Sequence, residues 1–213
     1  MTSTRSTNAP EANVAQLIGR ARAGSRDSLG KLLDLYRNYL TILAATQLDR
    51  RVQRRVSPSD AVQEAMLAAH RDFASFRGAS QPEFLAWLRQ ILVNYMHHAV
   101  DAHLKARKRD VRCEIPMEQM ARTIDQSAMN LGQLLAHSDP SPSASACRRE
   151  ESLEVADQLA RLKPEYRDVI VLRNLQGLSF EEVGARMDRK PGAVRMLWLR
   201  AIEKFKHLYE AQE

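Results

Sequence analysis

The sequence predicts an all-α protein of two small helical domains joined by a flexible linker. Three observations carry that expectation. Strand-like alternation is absent, and apolar residues recur at three- and four-residue spacing along most of the 213 positions. Residues 113–149 break this pattern: Glu114, Glu118, Asp125 and Asp139 stand against a single Arg122 before Arg148, and Pro140-Ser141-Pro142-Ser143 interrupts any regular element. The length allows one or two domains, and a 44% hydrophobic content lets each bury a modest core.

The elements follow in chain order. Residues 1–10 read as a disordered Ser/Thr tail. Residues 11–112 form the first domain, with a short helix around Val14 to Arg22. A longer helix from about Asp27 to Leu48 is marked by Leu29, Leu32, Leu33, Tyr36, Leu40 and Leu43. Ser57-Pro58-Ser59-Asp60 is a helix start, with a Ser cap, Pro at the first helical position and an acid in the first turn. That helix buries Val62, Met66, Ala69 and Phe73. After a loop, Ser75 to Ala79, Ser80-Gln81-Pro82-Glu83 has capping-box spacing. It opens a long helix with the stripe Phe84, Leu88, Ile91, Tyr95 and Ala99, ending in the basic run Lys105 to Arg109. The linker 113–149 is expected to hold at most one helical turn, near Met117 to Ala121.

Residues 150–213 form the second domain. A helix carrying Leu153, Ala156, Leu159 and Leu162 leads to Pro164, which begins a helix ended by Gly177. A short helix opened by Ser179-Phe180-Glu181-Glu182 follows, then an Asp188-Arg189-Lys190 turn and a last helix with two unlike faces. Val194, Leu197, Trp198, Ala201, Ile202, Phe205 and Leu208 form its buried stripe. At roughly 100° per residue, Arg195, Met196, Leu199 and Arg200 fall on the other side. Packing gives no reason to expose Met196 and Leu199 between two arginines. A DNA groove does, because arginines reach phosphates or guanine edges and apolar groups meet thymine methyls. The pair reads as a helix-turn-helix; a helical hairpin with a solvated basic face is the plainer alternative.

Charge supports a polyanionic partner. The net charge is +6, but its placement says more. From Arg186 to Lys206, seven Lys/Arg stand against Asp188 and Glu203, a local net of +5. The basic run at 105–109 suits a helix C-terminus as well as nucleic acid. The helix before it sets Trp87, Arg89, Asn94, His97 and His98 off its stripe, a mixture that suits unstacked single-stranded bases; for Trp87 itself, core packing is the expectation. On the helix after Ser57, Asp60, Gln63, Glu64 and Leu67 face away from the core, as a solvated edge or a protein-docking surface.

Other classes find little support. Cys113 and Cys147 lie 34 positions apart without metal-ligand spacing, which argues against a disulfide framework. There is no Gly-rich phosphate loop and no HExxH motif, and no metal or cofactor is expected. Neither a secretory signal nor a run of about 18 apolar residues is present, so a cytoplasmic protein without membrane insertion is expected, and not an enzyme.

Several stretches together resemble one family. Ser59-Asp60-Ala61-Val62-Gln63-Glu64-Ala65-Met66-Leu67-Ala68-Ala69-His70 resembles a D-x-x-Q-E core-binding segment. Phe84-Leu85-Ala86-Trp87-Leu88-Arg89-Gln90-Ile91-Leu92-Val93-Asn94 is similar to an F-x-x-W-L-x-x-I-x-x-N stretch. Leu162 to Ile170, Gly177 to Val183 and Gly192-Ala193-Val194-Arg195 resemble a second DNA-binding domain. The family is that of the extracytoplasmic-function (ECF) sigma factors, the compact class of bacterial sigma-70 relatives; the variants of planctomycete-like genomes look closest.

The resemblance implies a promoter-specificity subunit, with a region 2 helical bundle and a region 4 helix-turn-helix. It implies that Asp60, Gln63, Glu64 and Leu67 dock on the clamp helices of the largest subunit of core RNA polymerase. The loop from Ser75 to Gln81 would receive a base flipped from the −10 element of promoter DNA. Arg77, Arg89, Asn94 and His98 would lie about it, and Lys105, Arg107, Lys108 and Arg109 would hold the backbone. Lys190, Arg195, Met196, Leu199 and Arg200 would grip the −35 element. Met196 and Leu197 depart from the small polar residue and arginine of many relatives. Leu197 is expected to pack, and Met196 to weight recognition toward thymine methyls and DNA shape.

Elements about 17 base pairs apart are separated by roughly 60 Å. A linker of 37 residues reaches at most about 120 Å. An anti-sigma factor or a regulatory kinase acting on the Ser/Thr-rich segments are both compatible partners. The alternatives are a stand-alone helix-turn-helix regulator binding operator DNA, and a helical adaptor that binds proteins only.

Overall fold

The computed structural model describes residues 9–47, 57–106, 116–134 and 144–211, and among them every regular element is helical. The amino-terminal lobe holds α1 (Ala9–Arg22), α2 (Arg26–Leu35), α3 (Arg37–Gln47), α4 (Pro58–Asp72) and α5 (Gln81–Ala106). Helix α1 begins inside the stretch expected as a tail. The helix expected from Asp27 to Leu48 divides at Tyr36, whose N–H turns back to Leu33 O at 3.1 Å before the Leu40 N–H to Tyr36 O bond resumes the helix. Tyr36 is buried there and packs on Phe84, with ring centroids 5.4 Å apart.

Sequence signals set the entry to α4 and α5. Ser57 Oγ accepts from the Asp60 N–H at 3.1 Å, and Asp60 accepts in return from the Ser57 N–H. Helix α5 buries more than the expected stripe. Phe84 and Leu88 are joined by Leu85, Leu92, Val93 and Met96, while Ile91 and Tyr95 are half-buried. The cause is that α5 has neighbours on two sides, α4 and α6. Trp87 packs as expected, its ring 5.1 Å from Phe76 and 5.7 Å from Phe84.

The linker expectation needs correction. Residues Met117–Gln133 form a 17-residue helix, α6, where one turn was expected. Met120, Ile124 and Leu131 recur on one face and are fully buried, and the buried Ser127 and Gly132 keep that face small enough for close approach. At 1.5 Å per residue α6 is about 25 Å long. It packs against α3 and α5 on one side, and on the other against α7 (Ala144–Arg161) and a π-helical turn, Val171–Leu175. Asn130 Nδ2 donates to Leu175 O at 2.9 Å. The lobes also touch directly. Asn38 Nδ2 donates to Asp157 Oδ1 at 2.8 Å, and Gln176 Nε2 donates to Thr46 O at 2.7 Å.

The carboxy-terminal lobe continues through α8 (Pro164–Ile170), the π turn, α9 (Phe180–Met187) and α10 (Pro191–Glu210). Gly177, at φ 70°, ends the π turn in a conformation that glycine takes without a Cβ penalty. Helix α10 packs on α8 and α9 through Val194, Leu197, Ala201 and Phe205, all buried. Val194, Leu197 and Phe205 each contribute about 1.5–3 kcal/mol on full burial, and the Ala201 methyl less.

Candidate nucleic-acid and polymerase interfaces

The helix-turn-helix is built from local chemistry. Ser179 Oγ accepts from the Glu182 N–H at 3.2 Å, and Glu182 accepts from the Ser179 N–H at 2.8 Å. Those bonds from Ser179 hold the Glu182 carboxyl below the usual carboxylate range. The turn is made by Asp188, in the left-handed region at φ 56°. A Cβ on Gly184 would lie 2.6 Å from the Arg189 carbonyl, so only glycine lets the turn fold this close. Pro191 starts α10 at its first turn.

On that scaffold the outer face of α10 is open. Arg195 and Arg200 are exposed, Met196 is 52% and Leu199 48% exposed, and Lys190 stands exposed at the helix entry. Leu197 is buried, as its angular position requires. Behind this face lies a group that sequence reading missed. Trp198 Nε1 donates to Asn174 Oδ1 at 2.9 Å, and its ring sits 5.8 Å from Phe180. The Arg173 guanidinium lies 4.7 Å over the Phe180 ring and donates to Leu178 O at 2.7 Å. The π turn brings Asn174 and Arg173 to this place, and no spacing rule announces a π turn. Arg189 pairs with Glu165 at 2.8 Å, which turns that cation toward α8.

In the amino-terminal lobe, Asp60, Gln63, Glu64 and Leu67 share one exposed edge of α4, opposite the buried Ala61, Val62, Ala65, Met66 and Ala69. Leu67 is 59% exposed. Tyr95 on α5 lies half-buried near this edge; burial, then the charges of Glu64 and Asp60, raise its pKa.

The residues expected at the −10 element divide. Arg77 is exposed in the loop and His98 is exposed on α5. Asn94 is half-buried and accepts from Gln90 Nε2 at 2.8 Å. Arg89 is engaged rather than open, donating to Asp125 Oδ1 of α6 at 3.0 Å and to the Tyr39 hydroxyl at 3.3 Å. Lys105 lies in the last turn of α5 with its side chain outside the described residues, as are Arg107, Lys108 and Arg109 altogether. The loop itself is closely held. Glu83 accepts from the Ala79 and Ser80 N–H groups at 2.9 Å each and from Ser80 Oγ at 2.6 Å, which lowers its pKa.

A two-lobed helical protein with an exposed polar edge and Leu67 on one lobe and a helix-turn-helix on the other has the layout of a sigma-70 type transcription factor. The family models agree in position: sigma-70 region 2 matches residues 35–109 and sigma-70 region 4 matches residues 152–205. The ECF RNA polymerase sigma-E factor of Haemophilus influenzae is 31% identical over 88% of this chain and 90% of its own length. That of Escherichia coli K12 is 31% identical over 88% and 89%. The RNA polymerase sigma-H factor of Pseudomonas aeruginosa is 28% identical over 88% and 89%. The chain belongs to the ECF RNA polymerase sigma factors of the sigma-70 family, and it is a DNA-binding protein of transcription initiation. Among the described residues no helix is long and apolar enough to cross a membrane.

Proposed function

We propose that this sigma factor grips core polymerase through Asp60, Gln63, Glu64 and Leu67 and grips the −35 element through Lys190, Arg195, Met196, Leu199 and Arg200. It acts in the cytoplasm, without catalysis of its own. The observation that carries the reading is the outer face of α10, where two exposed arginines flank Met196 and Leu199, apolar groups left in solvent by the packed side of the same helix. Guanidinium groups there can reach phosphates or guanine edges while the apolar pair meets thymine methyls and groove walls. The missing side-chain cap at Lys190 leaves the Gly192 and Ala193 N–H groups in the first turn of α10 to donate to a phosphate. The Gly78 loop, the Phe84 to Arg109 stretch and the Val194 to Trp198 segment support a place among the variants of planctomycete-like genomes. Restraint by an anti-sigma factor or a kinase fits the same two-lobed design.

Melting at the −10 element requires no nucleotide hydrolysis in this scheme. Binding a flipped base at the Ser75 to Gln81 loop offsets unstacking that costs a few kcal/mol. The two contacts must span roughly 60 Å, the separation of elements about 17 base pairs apart. DNA binding measured with and without core polymerase tests the reading. Strong binding and run-off transcription with core, and weak binding without it, are expected; failure to bind core at all removes the proposal.

A further inference from the structure

Arg22 lies on α1, before the residues matched by the region 2 family model, and its guanidinium reaches across to the loop between α4 and α5. Nη2 donates to both the Gly78 and the Phe76 carbonyls, and the guanidinium carbon sits 5.5 Å from the centre of the Phe76 ring. The two carbonyls belong to the Phe76–Arg77 and Gly78–Ala79 peptides, so a single cation ties down the backbone before and after the exposed Arg77. Phe76 is itself buried among Phe73, Phe84 and Trp87. From the other end Glu83 holds the Ala79 and Ser80 N–H groups.

The interior of the turn has no slack. A Cβ on Gly78 would lie 2.6 Å from Glu83 Cβ and 2.7 Å from two carbons of the Phe76 ring. Carbonyls held by Arg22 and N–H groups held by Glu83 leave Arg77 and Ala79 exposed on a fixed backbone. A loop that must accept an extruded base loses less conformational freedom on binding when it is already ordered.

We infer that Arg22 is a positioning residue for base recognition: it sets the Phe76 to Ser80 loop in its receiving conformation without touching the base. The inference rests on the reading that this loop receives the flipped −10 base. Arg22 is exposed, so Arg22→Ala leaves the buried face of α1 (Val14, Leu17, Ile18, Ala21) in place.

The test uses the full chain with core polymerase and a promoter duplex library randomised across the −10 element, with open complexes recovered and sequenced. Arg22→Ala should lower the base preference at one −10 position by about tenfold, equivalent to ~1.4 kcal/mol of discrimination. Preference at the −35 element and affinity for core should stay as in the unaltered chain. Arg22→Lys should keep part of the preference, since an ammonium can still donate to a carbonyl. Arg20→Ala, a charge control on the same helix, should change nothing. Full −10 preference in Arg22→Ala overturns the positioning role alone, and so does a loss spread equally over −10, −35 and core binding, which marks a general structural defect. Absence of −10 preference in the unaltered chain instead removes base reading by the loop, and the role of Arg22 with it.

Discussion

Arg89 Nε donates to Asp125 Oδ1 at 3.0 Å, joining the long helix of the amino-terminal lobe to the helix that lies between the lobes. One partner is a residue expected to meet the −10 strand, and the other is an acid from the segment expected to be a loose linker. In the free protein α6 thus occupies a cation that the family resemblance would assign to the −10 element. Asp125→Ala should release Arg89 at small cost, under about 1 kcal/mol, because the Asp125 side chain is 61% exposed. Fluorescence anisotropy with a labelled single-stranded −10 oligonucleotide should show tighter binding by the variant alone at low salt. Unchanged binding with unchanged stability would mean that Arg89 plays no part at the strand.

The edge of α4 separates a structural acid from docking residues. Asp60 closes the capping box with Ser57, so Asp60→Ala should cost about 0.3–1 kcal/mol of stability whatever it does to polymerase. Leu67 touches no core and is 59% exposed; Leu67→Asp should leave urea stability within about 0.5 kcal/mol. The same change should weaken core binding by at least ~1 kcal/mol if Leu67 is an anchor. Titrating core polymerase against both variants, beside urea melts, resolves the two effects.

The helix-turn-helix turn makes a paired prediction of opposite sign. Gly184→Ala places a methyl 2.6 Å from the Arg189 carbonyl and should destabilise the lobe by about 1–3 kcal/mol. Asp188→Gly removes a side chain from a left-handed position and should stabilise by up to about 1 kcal/mol. Thermal unfolding of both variants provides the check. Equal tolerance of both changes would contradict the close turn.

Acid should loosen both capped entries. Glu83 and Glu182 have folded-state pKa values below the ordinary carboxylate range, owing first to their bonds with Ser80 and with Ser179. Their contribution is therefore fully present above the unfolded Glu pKa of about 4.3 and is lost as pH falls through the depressed folded values. Carboxyl titrations followed by NMR should give midpoints lower for both groups than for the exposed, unbonded glutamates of the same chain. Glu83→Gln with Glu182→Gln should flatten the acid limb of the stability profile.

Much of this architecture was legible because local and tertiary signals agreed. The Ser57 and Ser179 caps, the helix start after Ser80 (where Glu83 holds the Ser80 N–H but Ser80 Oγ donates to Glu83 instead of capping), the buried stripe of α10 and the outward Arg195 and Arg200 follow from local signals and angular spacing. Helix α6 was missed because its acids and the nearby Pro-Ser run outweighed three widely spaced apolar residues. Met120, Ile124 and Leu131 become a stripe only once two lobes are there to cover it. Arg22 was invisible for a different reason. Its partners lie 54 and 56 residues away and are backbone carbonyls, which no side-chain pattern in the sequence encodes.

The proposed function requires α10 to present its open face to promoter DNA while α4 holds the polymerase. The direct measurement is the equilibrium binding of a promoter duplex by the chain with and without core polymerase, repeated with Arg195→Ala and Arg200→Ala. Binding should be strong only with core, and each substitution should weaken it by about 1–3 kcal/mol if its arginine reads a base. Equal DNA binding with and without core, or full binding by both variants, would contradict it.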